Sequence, residues 1–222
     1  MAGELKCGVI PWAAGVMLIG SCNFSSPLAA PDGTGDHKPS PIEKNTRLFA
    51  DGETPGELVF ETNESRYARP YGKSFWFPAG NIQSPFVEWG VTAGKESGRT
   101  EGGFGVVICD IGTSMLTVMI RIDGYYQVAE IVKGDYVPRD AWRFHPAIVR
   151  DYGNRNRIDV SRASNGVFTL RINDQKITTF VDDEAPIHTG GRQGYLVVSS
   201  PLEDFPRIPL KVIFRETGAG SK

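Results

Sequence analysis

Few side chains in this chain have the types and spacing that chemistry requires, and the most telling is a thiol. Cys22 closes the stretch Ile19-Gly20-Ser21-Cys22, behind the uncharged run GVIPWAAGVMLIG from Gly8 to Gly20, with Lys6 just ahead of it. A cysteine in that setting is a core residue, half of a disulfide, or a site of covalent modification. The carboxylates offer less. Cleaving a glycosidic bond takes two carboxyl groups roughly 5 to 9 Å apart, which on strands means acids at i and i+2 or on facing strands. Glu88 stands alone between Val87 and Trp89, and Glu130 has no second acid near it. Asp182-Asp183-Glu184 follows a strand-like run and offers oxygen ligands, but calcium takes about six to eight oxygens, usually at alternating spacing. A solvated acidic loop is therefore the simpler reading there; calcium stays open, and no other cofactor is implied. His37, His145 and His188 lie in linker or loop contexts, and the chain has no HExxH, Cys-x-x-Cys or Walker pattern.

Flat rings are the other resource, because they stack on sugars or anchor a protein partner at low entropy cost. Trp89 alternates with Val87 and Val91 and reads as core, whereas Trp76, between Phe75 and Phe77, fits either face of a strand. Trp142 lies in DYVPRDAWRFHP, an irregular segment with two prolines, flanked by Arg139, Asp140 and Arg143. Mounted beside a strand face that carries Arg121, Tyr126 and Glu130, such a loop makes Arg121, Tyr126, Glu130 and Trp142 the candidate ligand-binding set. The competing reading is a loop that covers the end of the fold with its own small cluster.

These residues need a scaffold, and composition points to strands. The chain has 222 residues, enough for one domain or one domain plus a tail. Lys+Arg is 24 against Asp+Glu 26, a formal charge of −2, so nucleic acid is not an expected partner. Glycine (26) and proline (15) punctuate short runs of Val, Ile, Thr, Phe and Tyr, the mark of an all-β chain. Strand-like runs read at 56–61, 73–77, 86–92, 104–110, 115–122, 125–133, 156–162, 166–172, 175–181, 194–200 and 208–215. Their close spacing predicts a sandwich or barrel.

Two hairpins follow. A two-residue turn at Asp123-Gly124 sets Ile122 opposite Tyr125 and Ile120 opposite Gln127, leaving Arg121, Met119 and Thr117 on a second face with Tyr126, Val128 and Glu130. A turn at Asn173-Asp174 sets Leu170 near Ile177 and Arg171 near Lys176. That second pair of like charges reads as solvated or edge-protecting, not as a site.

The run from Gly8 to Gly20 would rise about 20 Å as a helix, short of a roughly 30 Å hydrocarbon core. Its length fits the apolar region of a signal peptide. Ile19-Gly20-Ser21-Cys22 resembles the lipobox of bacterial lipoproteins, which implies that the Cys22 thiol takes a diacylglyceryl group and becomes the new N-terminus. Glu4 offsets Lys6 and Pro11 interrupts the run; a buried N-terminal strand is the competing reading. Residues 23–46, rich in Pro, Ser, Gly and charge, suit a flexible tether. Of the three cysteines, Cys7 would leave with the signal and Cys22 would be acylated. Cys109, within the apolar run GVVIC, then remains as a small buried hydrophobe with no disulfide partner in the mature monomer.

From about Gly103 onward the chain resembles the bacterial concanavalin A-like, laminin G-like sandwich family. GFGVVICD, IRIDGYYQV, NRIDVSRASNGVFTLRINDQKITTFVDD and GGRQGYLVVSS follow that family's order of strands, with Asp174 where glycine is usual. The resemblance implies an all-β, antiparallel two-sheet jelly-roll sandwich able to hold a ligand on one sheet or its rim. Members include glycan-binding modules, protein-binding modules and glycoside hydrolases, so fold does not settle function. The hydrolases often carry Glu-x-Asp-x-x-Glu on one strand, and this chain has no such run.

The expectation is a signal peptide at 1–21, a lipidated cysteine and tether at 22–46, a sandwich at 47–217 and a disordered tail at 218–222. The protein would be membrane-held through the lipid on Cys22, in the bacterial envelope, periplasmic or surface-exposed. It would bind a glycan or an envelope or host protein without catalysis. A sugar-processing enzyme, which needs two convergent acids, is the runner-up, and a structural subunit of an envelope complex the third reading.

Overall fold

The computed structural model describes residues 48–68, 72–82, 88–132, 135–181 and 191–217. Cys22 and the acidic run Asp182-Asp183-Glu184 lie outside them. In chain order the strands are β1 (Phe49–Asp51), β2 (Glu57–Thr62), β3 (Ser74–Ile82), β4 (Glu88–Ser97), β5 (Phe104–Asp110), β6 (Ser114–Ile120) and β7 (Tyr125–Val132). Then follow β8 (Asp135–Pro138), β9 (Arg143–Phe144), β10 (Asn156–Arg162), β11 (Val167–Ile172), β12 (Gln175–Val181), β13 (Gly191–Val198) and β14 (Leu210–Thr217). They form two antiparallel sheets: sheet I, in the order β1-β2-β14-β4-β10-β11-β12, and sheet II, β3-β13-β5-β6-β7-β8 with β9 also on β7.

Alternation sorts each strand between the sheets and the outside. Trp89, Val91 and Ala93 of β4, Ile158 and Val160 of β10, and Val212 and Phe214 of β14 meet Phe75, Phe104, Val106, Leu116, Val118 and Ile120 of sheet II in one buried cluster. Aromatic contacts join the layers: Phe60 to Phe75 and Tyr195 to Phe214 at 5.0 Å, Trp89 to Tyr195 at 5.8 Å. Trp89 is core as its alternation predicts, and Cys109 is buried. An all-β two-sheet sandwich is what the structure shows.

The outer faces differ. Sheet I presents ion pairs, Arg155 with Glu96 at 3.2 Å, Arg157 with Asp159 at 2.9 Å and Lys211 with Glu61 at 3.6 Å. Sheet II carries a second apolar cluster of Trp76, Val107, Met115, Met119, Ala129, Ile131 and Leu196 on the side away from the core, with Trp142 and Val198 packed against it. Trp76 therefore faces outward on β3.

One predicted register is wrong by a residue. Ile120 pairs with Tyr126, Val118 with Val128 and Leu116 with Glu130, so Tyr126, Val128 and Glu130 share the inward face of sheet II with the aliphatics of β6. The turn holds three residues, Ile122-Asp123-Gly124, between the paired Arg121 and Tyr125, whose bond from Arg121 N–H to Tyr125 C=O is 2.8 Å. Gly124, at φ 96°, takes the left-handed step that ends this three-residue loop type. The predicted register would have turned Gln127 into the apolar interior, where an unpartnered amide costs about 1–3 kcal/mol. Gln127 instead lies on the other face and donates to the Asp140 carbonyl at 2.6 Å.

The segment read as an irregular loop is partly strand. β8 and β9 both pair with β7, and Pro138 sits at the end of edge strand β8, where a missing N–H costs no ladder bond. The Asn173-Asp174 turn forms as predicted, with Arg171 opposite Lys176, while a bulge moves Leu170 opposite Thr178 instead of Ile177.

Candidate functional site

Of the four residues predicted to share a face, the structure brings Arg121 and Trp142 together. The Arg121 guanidinium lies 5.3 Å from the ring centres of both Trp142 and Tyr125, and it is paired with the Asp123 carboxylate. Its attraction to the two rings is worth about 0.5–2 kcal/mol each, more where water is excluded. The strap that carries Trp142 is held by the Gln127 amide and by Arg139, whose Nε donates to Glu130 Oε1 at 2.6 Å. Tyr126 is not part of this face: it is buried in the sandwich core. Glu130 is taken up by Arg139 at the sheet edge. Both departures follow from the longer turn, because a one-residue slip moves a whole set of side chains to the other face.

Next to Arg121 the same turn lines a cavity of about 390 Å³, whose walls are Thr100, Ile122, Asp123, Arg150, Asp151 and Tyr152. Three loops meet here: the β4–β5 connection, the β6–β7 turn and the segment leading into β10. Close packing dictates their approach. A Cβ on Gly124 would stand 2.8 Å from the Phe144 ring and 3.2 Å from the Arg150 chain, so only glycine allows both to lie against the turn. Asp151 has a left-handed backbone (φ 79°) and donates its N–H to the Ile122 carbonyl at 3.0 Å. A non-glycine residue in that region stores backbone strain, of the order of 1–3 kcal/mol, and such strain gathers at binding sites.

The lining is amphipathic. Asp123 Oδ1 is buried and accepts no hydrogen bond, and Arg121 Nε is buried without an acceptor. The Tyr152 hydroxyl donates to the Gly98 carbonyl while the residue stays 46% exposed, close in sequence to exposed Val149 and Phe144. Burial, and after it the charges of Glu203 and Glu101, push the Tyr152 phenol above its ordinary pKa, so it remains a neutral donor. Two carboxyl groups, a guanidinium, a hydroxyl and a ring edging one hollow can hydrogen-bond a polyhydroxyl ligand and cover one of its faces. Among the described residues, no group of three or more His, Cys, Asp or Glu side chains is placed to hold a metal ion.

Arg150, Asp151 and Tyr152 fall outside the residues that the sequence marks as a site, and Asp123 reads there only as a turn former. The sole local signal was the run RDYGN, charged and aromatic residues ending on turn formers just ahead of β10.

No protein-family model and no curated protein matches the chain. Solved structures do. The carbohydrate binding module CBM66 from Bacillus subtilis is similar at a TM-score of 0.53 and 12% identity, over 75% of this chain and 87% of that one. A Bacillus licheniformis beta-glucanase gives 0.49 at 10% identity, over 78% and 84% of the two chains. Sheep galectin-11 gives 0.39 at 14% identity, over 68% and 95%. At such identities the likeness shows the fold alone, a jelly-roll β-sandwich.

Proposed function

We propose that this protein is a lipid-anchored envelope protein whose sandwich binds a neutral glycan in the cavity at the β6–β7 turn. The observation that carries the binding half is the cavity itself, whose wall sets the carboxyl-bearing Asp123 and Asp151 beside Arg150 and the exposed Tyr152. Sugar hydroxyls donate to carboxylates and accept from a guanidinium, and a sugar face covers the ring. The lining holds two carboxylates, Asp123 and Asp151, against the one guanidinium of Arg150, with Arg121 paired to Asp123 beside it, which favours an uncharged glycan over an acidic one. The similarity of the fold to the carbohydrate binding module CBM66 points the same way.

The anchoring half rests on the sequence Ile19-Gly20-Ser21-Cys22 and the tether-like composition after it. More than one acyl chain is needed for stable attachment, as a lipoprotein cysteine carries.

The binding test uses the full-length protein in detergent on an array of neutral and uronic-acid glycans. Asp123→Asn and Tyr152→Ala should each weaken capture of neutral glycans at least tenfold, whereas Glu130→Gln should leave it unchanged. Undiminished capture by both pocket variants would remove the cavity from the reading, and capture of acidic glycans alone would reverse the charge argument. For the anchor, Cys22→Ser should abolish palmitate labelling and membrane retention together; persistent labelling would sink that half.

One observation favours a second reading, hydrolysis. Asp123 and Asp151 line the same cavity, and paired carboxyl groups are what glycoside cleavage requires. Release of reducing sugar by the wild type, lost in both Asp123→Asn and Asp151→Asn, would select it over binding.

A further inference from the structure

The cavity has a wall built around a buried cation. Lys95 continues the inward-facing series of Trp89, Val91 and Ala93 along β4 and is only 1% exposed. Its ammonium donates to the Arg99 carbonyl and, at 3.2 Å, to the Gly102 carbonyl, the two ends of the turn that presents Thr100 to the cavity. Glu203, itself 8% exposed, accepts from the Arg99 N–H at 2.9 Å and from the Ser200 N–H at 3.1 Å. A Cβ on Gly102 would stand 2.8 Å from Lys95 Nζ and 3.1 Å from Glu203 Oε1, so the turn is drawn tight against both charges. The opposite wall is tied to the same residue: the Gly153 N–H donates to the Lys95 carbonyl at 2.9 Å, and Tyr152 reaches across to the Gly98 carbonyl.

We propose that Lys95 is the positioning residue of this pocket: its buried ammonium folds the 98–103 wall around itself, and loss of that charge loosens the wall. The inference deepens the glycan reading for its effect on affinity, but the state of the wall is independent of what the pocket holds.

A buried charge is an expensive way to shape a loop, and replacing such a group by an apolar one is often neutral or stabilising. The retained cost is the argument for a role beyond stability. Charged groups reach Lys95 from each neighbouring segment: Glu203 ahead of β14, Glu101 in its own turn, and Arg121 and Asp123 from the β6–β7 turn. Burial lowers its pKa to about 8; Glu203, Glu101 and Asp123 oppose that fall, and Arg121 adds to it. Across the cavity, Arg150 and Asp151 complete the charged surroundings.

The sign of the linkage separates the two roles. With the folded pKa below the ordinary lysine value of 10.5, the unfolded chain binds more protons between these values. Lys95's contribution to stability is then present above 10.5 and is lost as pH falls through 8. Ordering of the wall runs the other way: loosening that leaves Lys95 inside the sandwich takes away its two carbonyl acceptors without giving it water, so the ammonium is favoured in the ordered wall and ordering declines as pH rises through 8.

The test is amide hydrogen exchange on the full-length protein, read by mass spectrometry and corrected for intrinsic rates. At pH 7, Lys95→Met should speed exchange in 98–103 and 150–153 about tenfold relative to the strands, with an unchanged or higher unfolding midpoint. In the wild type the same segments should lose protection through pH 8, and Glu203→Gln should move that transition to lower pH. Wild-type protection of 98–103 in Lys95→Met, or a transition that Glu203→Gln leaves in place, would overturn the proposal. Should Lys95→Met fail to fold, the Glu203→Gln transition decides. A parallel titration with cellotetraose as a neutral probe should show at least tenfold weaker binding by Lys95→Met. If the wild type ignores the probe while the exchange results hold, the glycan reading is weakened and the positioning role stands.

Discussion

Two hairpin turns carry the same kind of sequence signal and do different things. Ile122-Asp123-Gly124 joins β6 and β7, which are interior strands of sheet II, whereas Asn173-Asp174 joins β11 to β12, the edge strand of sheet I. The edge turn is a two-residue reversal with both residues left-handed, at φ 49° and 65°, as hairpins of that length require. Its flanking Arg171 and Lys176 point into solvent. The interior turn is one residue longer, and every residue in it is used: Ile122 is buried, Asp123 pairs with Arg121 and lines the cavity, and Gly124 receives the Phe144 ring. The difference teaches that a turn signal says where the chain reverses, while the loops that pack on the turn decide whether it becomes a site.

The most severe way to break this contrast is at Gly124. Gly124→Val puts a branched side chain at φ 96°, with its Cβ 2.8 Å from Phe144. Backbone strain and overpacking together should cost about 3 kcal/mol, seen as a lower urea midpoint, and should abolish capture of any glycan that the wild type binds. A variant of wild-type stability would mean that the Phe144 and Arg150 loop is free to move off the turn, and that the cavity is not built as described.

Legibility in the sequence follows the same line between local and assembled features. The strand-like runs locate interior and edge strands alike: Phe104–Asp110, Asn156–Arg162 and Gln175–Val181 fall where FGVVICD, NRIDVSR and QKITTFV place them. Asp123-Gly124 marked the reversal, but a left-handed glycine serves equally the second position of a two-residue turn or the last of a three-residue one. Nothing local chose between them; the pairing of Gln127 with the Asp140 carbonyl did, and that single residue of register removed Tyr126 and Glu130 from the proposed face. The prolines of DYVPRDAWRFHP masked β8 and β9, because the rule against proline in strands does not hold at an edge. The cavity was illegible for a different reason. Its walls come from residues about 100, 122 and 151, brought together by tertiary packing, and the left-handed backbone of Asp151 has no sequence signature.

The two turns are linked by one polar network, and cutting it sharpens the comparison. Asn156 is buried; its Oδ1 accepts from the Val149 N–H at 2.8 Å and from Asn173 Nδ2 at 2.8 Å, and its Nδ2 donates to the Val149 carbonyl at 2.9 Å. Asn173 Nδ2 also reaches the Ala147 carbonyl at 2.8 Å. The edge turn thereby pins the segment that continues into Arg150, Asp151 and Tyr152. Asn156→Ala strands both polar groups of Val149 and should cost about 2 kcal/mol. Combined with Asn173→Ala in a double-mutant cycle, it should show coupling of about 0.5–3 kcal/mol. Strict additivity would make the two turns energetically separate, contrary to the geometry.

The smallest effect tests the solvated side of the edge turn. Arg171 and Lys176 stand directly opposite each other on antiparallel strands, both exposed. Like charges so placed repel, and an opposite pair contributes roughly 0.2–1 kcal/mol relative to neutral neighbours. Lys176→Glu should therefore raise stability by about 0.5 kcal/mol at low ionic strength, and the gain should shrink at about 1 M salt, where the screening length falls to roughly 3 Å. Because neither side chain touches the Asn156–Asn173 network or the cavity walls, glycan capture and the hydrogen exchange of 98–103 should stay at wild-type values. A stability gain that persists in high salt would point to packing instead of charge. A change in capture would show that the edge turn reaches the site by a route other than the Asn173 amide, and the division between a solvated turn and a site-forming turn would fail.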